Sequence, residues 1–160
     1  MTAPIAAIIL AAGKGTRMKS DLHKVLHPIA GRAMLLHLID SFDAAGASER
    51  VVVVGSLREQ VEAAVAPLGV KTVVQEDQLG TAHAALQAKE ALAGFDGVVL
   101  VCFGDVPFLR TETITALAQR LDGPDAPKIA VLGFRPVDPA AYGRIVADSD
   151  GRVCAPSTTR

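Results

Sequence analysis

A chain of 160 residues, half of them apolar, 21% charged and 4% aromatic, can bury the core of one ordinary domain. A net charge of -1 excludes a global attraction to nucleic acid or anionic lipid, so any cationic site must be local. Two cysteines, Cys102 and Cys154, exclude a disulfide framework, and a reduced cytoplasmic setting is expected.

Ile5 to Leu10 is a continuous apolar run, the pattern of a strand buried on both faces. At about ten residues, without a basic flank or a cleavage-like tail, it does not read as a signal segment. No stretch approaches the roughly 20 apolar residues of a membrane span. A long loop follows, and Met34, Leu35, Leu38, Ile39 and Phe42 recur at helical spacing up to a stop at Gly46. Val51 to Val54 reads as a second strand. Ser56-Leu57-Arg58-Glu59 has the capping-box pattern of a helix running to about Ala66. Val70 to Val74 is a third strand, and an Ala-rich helix is expected from Thr81 to Ala93, ending at Gly94. Val98 to Phe103 is a fourth strand. Thr111 or Thr113 can cap a helix through about Leu121, and Ile129 to Phe134 reads as a fifth strand. This alternation predicts an α/β fold with a mostly parallel central sheet and helices on both faces.

Ligands of such sheets sit beyond the carboxyl ends of the strands. Three unusual segments fall there: "LAAGKGTRM", "QEDQLGT" and "FGDVP". Gly13 and Gly15 let backbone N–H groups approach an anion, although neither GxxxxGK[ST] nor GxGxxG is present. A solvated glycine turn explains the glycines equally well. Lys14, Arg17 and Lys24 favour a polyphosphate. Asp105 can hold Mg²⁺ or cap a turn. Gln75, Gln78, Gly80 and Thr81 can read a base edge, and Thr81 can cap the helix after it. The four histidines have no zinc spacing, and no Ser/His/Asp constellation occurs.

Together, "LAAGKGTRMKSDLHKVLHPIAGRAML", "QEDQLGTAHA", "FGDVPF" and "YGRIV" resemble the sugar-1-phosphate nucleotidyltransferases, in particular the bacterial N-acetylglucosamine-1-phosphate uridylyltransferases. The resemblance runs from about Ile5 to Val153. It implies a Rossmann-like domain over residues 1–153, incomplete at its C-terminal side, with 154–160 an irregular tail. It also implies transfer of UMP from UTP to N-acetylglucosamine 1-phosphate, releasing pyrophosphate, with Mg²⁺ as cofactor and neither nucleic acid nor membrane as partner. In that family's pattern Leu10, Ala11, Ala12 and Gly13 border the uridine, while Gly15, Thr16 and Arg17 face the triphosphate. Arg17 and Lys24 are then the catalytic cations. Gln75, Gly80 and Thr81 recognise the uracil, Asp105 holds the metal, Phe103 and Gly104 lie beside the ligand, and Gly143 lies near the sugar. The sequence departs from the family at three places. His23 stands where proline is common, Phe103 replaces a tyrosine, and "CAPSTTR" replaces an acidic continuation. A UTP-binding module without catalysis and a nucleotidyltransferase for another substrate are the alternatives, and an open sheet edge would favour self-association.

Overall fold

A computed structural model describes the chain except residues 1, 2, 14, 16, 17, 124, 139, 141 and 158–160. Its internal contacts divide it into two compact units, Met1–Lys128 and Ile129–Arg160, where the sequence pattern suggested one domain to residue 153.

The first unit is built on a parallel sheet of β1 (Ile5–Ala11), β4 (Ala47–Val54), β5 (Lys71–Val74) and β6 (Val98–Phe103), in the order β5-β4-β1-β6. A hairpin of two-residue strands, β2 (Pro28–Ile29) and β3 (Arg32–Ala33), interrupts the long loop after β1. Every residue of β1 is buried, because β1 pairs on both sides: Ala11 lies opposite Val54 and Leu10 opposite Phe103. On one face Ile9, Val52, Val54 and Leu100 pack with α1 (Met34–Ala44), α2 (Arg58–Val65) and α4 (Thr111–Gln119), whose inward residues include Leu38, Phe42, Val61 and Ile114. On the other face Ile8, Leu10, Val51 and Val53 pack against Ala84 of α3 (Thr81–Leu86) and Ala88 just beyond it. Helices thus cover both faces, as the alternating pattern requires.

Several local expectations are corrected. α2 begins at Arg58, entered through Leu57 in the left-handed conformation at φ 54°, and no side chain caps it. With Leu57 turned that way, Ser56 is not the N-cap and no capping box forms. Thr81 and Thr111 are first helical residues rather than caps. Gly80 and Arg110 precede them, and the Thr111 hydroxyl instead donates to the Ser41 carbonyl at 3.4 Å. The Ala-rich helix breaks after Leu86, where Ala88 and Lys89 bond to carbonyls three residues back and a 3-10 turn follows at Glu90–Leu92.

In the second unit β7 (Arg144–Ala147) and β8 (Val153–Ser157) form an antiparallel hairpin. Residues 154–157, expected to be irregular, are therefore part of a strand. The Asp148 carboxylate accepts from the N–H groups of Asp150 and Arg152, and Gly151 supplies φ 77°, which folds the chain back on itself. Ile129 to Phe134 is not a strand. An apolar run becomes one only where a neighbour takes its hydrogen bonds, and Ile129, Val131, Leu132 and Phe134 are exposed. Phe134 packs edge-on against Tyr142, their ring centroids 5.0 Å apart.

Candidate active site

After β1 and β4 the chain adds β5 outward, then crosses back to place β6 on the other side of β1. The reversal leaves a crevice at the carboxyl ends of β1 and β6, the usual ligand position in open α/β sheets. A cleft of about 320 Å³ opens there. Of the residues singled out from sequence, Leu10, Ala11, Ala12, Gly13, Lys24, Gln75, Gly80, Thr81, Phe103 and Asp105 all line it.

The end of β1 is small because other backbone crowds it. A Cβ on Gly55 would stand 2.7 Å from the Ala12 carbonyl oxygen. Gly104 donates its N–H to the Leu10 carbonyl at 2.9 Å, and a Cβ there would meet Val25 at 3.1 Å, so Gly104 serves strand-end packing. The side-chain nitrogen of Gln78 donates to the Ala12 carbonyl at 2.8 Å. Gln78 therefore ties the β5–α3 segment to the loop after β1.

Lys24 stands on a single 3-10 turn, Lys24–Leu26, anchored by the buried Val25. The ring of His23 caps this turn, with Nδ1 accepting from Val25 N–H at 3.3 Å. The backbone N–H of His23 donates to Gln60 Oε1 at 2.7 Å, and the Gln60 amide nitrogen donates to the Asp21 carbonyl at 2.8 Å. One glutamine on α2 thus pins the segment ahead of Lys24 at two points. His23 is 2% exposed and its Nε2 has no hydrogen-bond partner among the described residues. Burial lowers its pKa from the ordinary histidine value; the Lys24 cation lowers it further, and the Ala11 backbone opposes both only in part. His23 is accordingly neutral at neutral pH and adds no charge beside Lys24.

Lys24 Nζ lies 2.6 Å from Asp105 Oδ2. This contact joins the loop after β1 to the turn after β6, bringing together the expected phosphate-binding cation and the expected metal ligand. Among the described residues no group of three His, Cys, Asp or Glu side chains could cage a metal. Asp105 is the carboxylate among the described residues that line the cleft, a donor compatible with a divalent ion that draws its other ligands from phosphate oxygens and water. Burial raises the Cys102 pKa to about 12, so that thiol is not a nucleophile.

Lys14, Thr16 and Arg17 lie outside the described residues, and Gly143 belongs to the second unit, just ahead of β7. His23 and Gln60 were not legible as site residues. Their only advance signal was the histidine in the usual proline place. Gly15 has φ 57°, and a Cβ on it would stand 2.8 Å from Lys24 Cβ. We expect Gly15→Ala to displace Lys24 and weaken binding of nucleoside triphosphate about tenfold or more, read by calorimetry, because both the backbone strain and the clash fall on this loop.

No helix among the described residues is long and apolar enough to cross a membrane. The family model described as the MobA-like NTP transferase domain matches residues 7–150. The chain is 63% identical over 150 residues to a bifunctional protein GlmU of Rhizorhabdus wittichii and 58% identical to that of Sphingopyxis alaskensis. Each alignment covers 94% of this chain but 33% of the relative, so the chain spans about a third of their length. Among solved structures, a nucleotidyl transferase from Methanothermobacter thermautotroptrophicus superposes with a TM-score of 0.63 and 26% identity, covering 75% of this chain and 59% of that one. Rv0371c from Mycobacterium tuberculosis, solved also as a manganese complex, gives 0.60 and 26% over 74% of this chain and 61% of that one. With the family model matching nearly its whole length, and with a cleft at the switch point of a parallel sheet, the chain belongs to the MobA-like NTP transferase domain family.

Proposed function

We propose that this chain is the nucleotide-binding part of a cytoplasmic uridylyltransferase. The reaction is transfer of UMP from UTP to N-acetylglucosamine 1-phosphate, with release of pyrophosphate, as a step in making UDP-N-acetylglucosamine for peptidoglycan and lipopolysaccharide. The observation that carries the reading is the contact of Lys24 with Asp105 at 2.6 Å, at one end of a cleft whose other end holds Gln75, Gly80 and Thr81. A cation and a carboxylate at one end suit a metal-bound polyphosphate, and an amide at the other suits a base.

An oxygen of the sugar phosphate attacks the α-phosphorus of UTP, and the bond from that phosphorus to the bridging oxygen breaks as pyrophosphate leaves. The nucleophile is already anionic and needs no general base. Catalysis is then positioning and charge stabilisation. Arg17 and Gly15 face the triphosphate in this reading, and Gly13 and Ala12 let the uridine lie against backbone. On binding, Lys24 would exchange its carboxylate partner for phosphate oxygen, and Asp105 would hold the divalent ion, with Gly104 and Phe103 beside the ligand. Mg²⁺ bound there would supply neutralising charge to the phosphates. The manganese complex of Rv0371c supports a divalent ion in folds of this type.

Calorimetric titration with UTP and Mg²⁺, run beside a pyrophosphate-release assay, tests the proposal. Binding with release is expected. UTP binding without release would favour a module that binds nucleotide only. Stronger binding of GTP or CTP than of UTP would overturn the uridylyl assignment. Asp105→Asn should make UTP affinity indifferent to Mg²⁺ while leaving the fold intact, since the carboxylate is a third exposed.

A further inference from the structure

The base-reading end of the cleft contains a side-chain relay that the proposed function leaves unused. Gln75 is 5% exposed, and its backbone N–H donates to the Val54 carbonyl at 2.8 Å. The nitrogen of its side-chain amide lies 3.3 Å from the Gly80 carbonyl oxygen and 3.0 Å from His83 Nδ1. A carbonyl oxygen only accepts, so the end of the amide beside Gly80 is the NH₂. His83 Nδ1 faces that same NH₂ and must accept from it, which puts the proton of the neutral ring on Nε2. Both amide protons of Gln75 are thereby committed, and its oxygen has no donor among the described residues.

On the other side of the ring, the Gln87 amide nitrogen is 3.2 Å from His83 Nε2 and 3.0 Å from the His83 carbonyl oxygen. Two NH₂ groups cannot both donate to one neutral imidazole, because only one ring nitrogen is bare. Gln75 is buried and Gln87 only half-buried, so the conflict resolves at Gln87, whose NH₂ keeps its bond to the His83 carbonyl and leaves the proton on Nε2.

We propose that His83 is a positioning residue that holds the Gln75 amide with its oxygen toward the base. The cleft then selects a base carrying a ring N–H, such as uracil, over one whose matching ring nitrogen is bare, such as cytosine. A bare nitrogen would set lone pair against lone pair. Turning the amide over to accommodate it would break the bonds to both Gly80 and His83. Gly80 has φ 102°, a conformation that glycine adopts readily, and its carbonyl also accepts from Ala84 N–H at 3.0 Å. The relay is thereby fixed to the start of α3. This inference rests on the uridylyl reading of the cleft.

The test compares UTP with CTP by calorimetry on the full chain in Mg²⁺, with His83→Ala and Gln87→Glu beside the unchanged protein. The unchanged protein should prefer UTP about tenfold or more, and His83→Ala should lower that ratio about threefold or more, since the Gly80 carbonyl alone then holds the amide. Gln87→Glu, whose carboxylate holds the proton on Nε2, should keep the original ratio. Nitrogen-15 spectra of the histidine rings in the unliganded protein should place the His83 proton on Nε2, a readout independent of nucleotide. A folded His83→Ala protein with undiminished preference, or a proton found on Nδ1, would overturn the inference while leaving the uridylyl reading in place. If the unchanged chain binds no nucleotide, both fall together.

Discussion

Lys24→Ala should reduce pyrophosphate release about 10²- to 10³-fold, the usual effect of removing one preorganised charge-stabilising donor. In the unliganded cleft Lys24 bonds to Asp105, and both side chains are a third or more exposed. Exposed pairs of this kind contribute about 0–1 kcal/mol, so the variant should melt within a few degrees of the original. A large loss of rate with little loss of stability is the signature of a residue that acts on the reacting phosphates. It also separates Lys24 from the residues that hold it. Gln60, reaching from α2 to the backbone of Asp21 and His23, places the turn without touching the cleft floor. Near-normal turnover in Lys24→Ala would remove the lysine from the mechanism.

β1 and the Val51–Val54 part of β4 were legible as apolar runs buried by their neighbours, and α1 by its buried period, while the edge strands β5 and β6 were legible by their β-branched composition. The expected strand at Ile129 to Phe134 shows the limit of that signal. Apolar composition states a preference for burial, and the hydrogen-bond partner that makes a strand comes from elsewhere in the chain. Helix starts failed in a different way. Thr81 and Thr111 are good caps by type, but Gly80 and Arg110 already turn the chain into the helix, so each threonine falls one position too late. In the site, three segments at three strand ends could be read together because the parallel alternation brings those ends to one edge. The contact of Lys24 with Asp105, the clamp from Gln60 and the pairing of His83 with Gln75 could not be read. Each depends on side-chain approach between elements, and local patterning carries no record of that. His23 was visible only as a departure, yet it caps the turn that carries Lys24.

The largest expected loss of stability lies well away from the cleft, in Phe42→Ala. Phe42 is wholly buried in the cluster that binds α1, α2 and α4 to one face of the sheet, together with Leu35, Leu38, Ile39, Val61 and Ile114. Truncating it removes the transfer free energy of the ring and leaves a cavity that the sheet, with β1 paired on both sides, cannot collapse to fill. Such substitutions cost about 3–5 kcal/mol, against the roughly 5–15 kcal/mol that stabilises a typical domain. For a unit of this size the melting temperature should fall by about 10–20 °C. Urea titration should show a lower midpoint with an unchanged slope, because the area exposed on unfolding stays nearly the same. Val101→Ala is the control: Val101 is half exposed on the edge strand β6, so it should lose about 1 kcal/mol or less. If the two variants lost similar stability, the face of the sheet under α1 would not be the core. Below its lowered melting temperature Phe42→Ala should still bind UTP with ordinary affinity, because the cleft is built from strand ends and loops that Phe42 does not line.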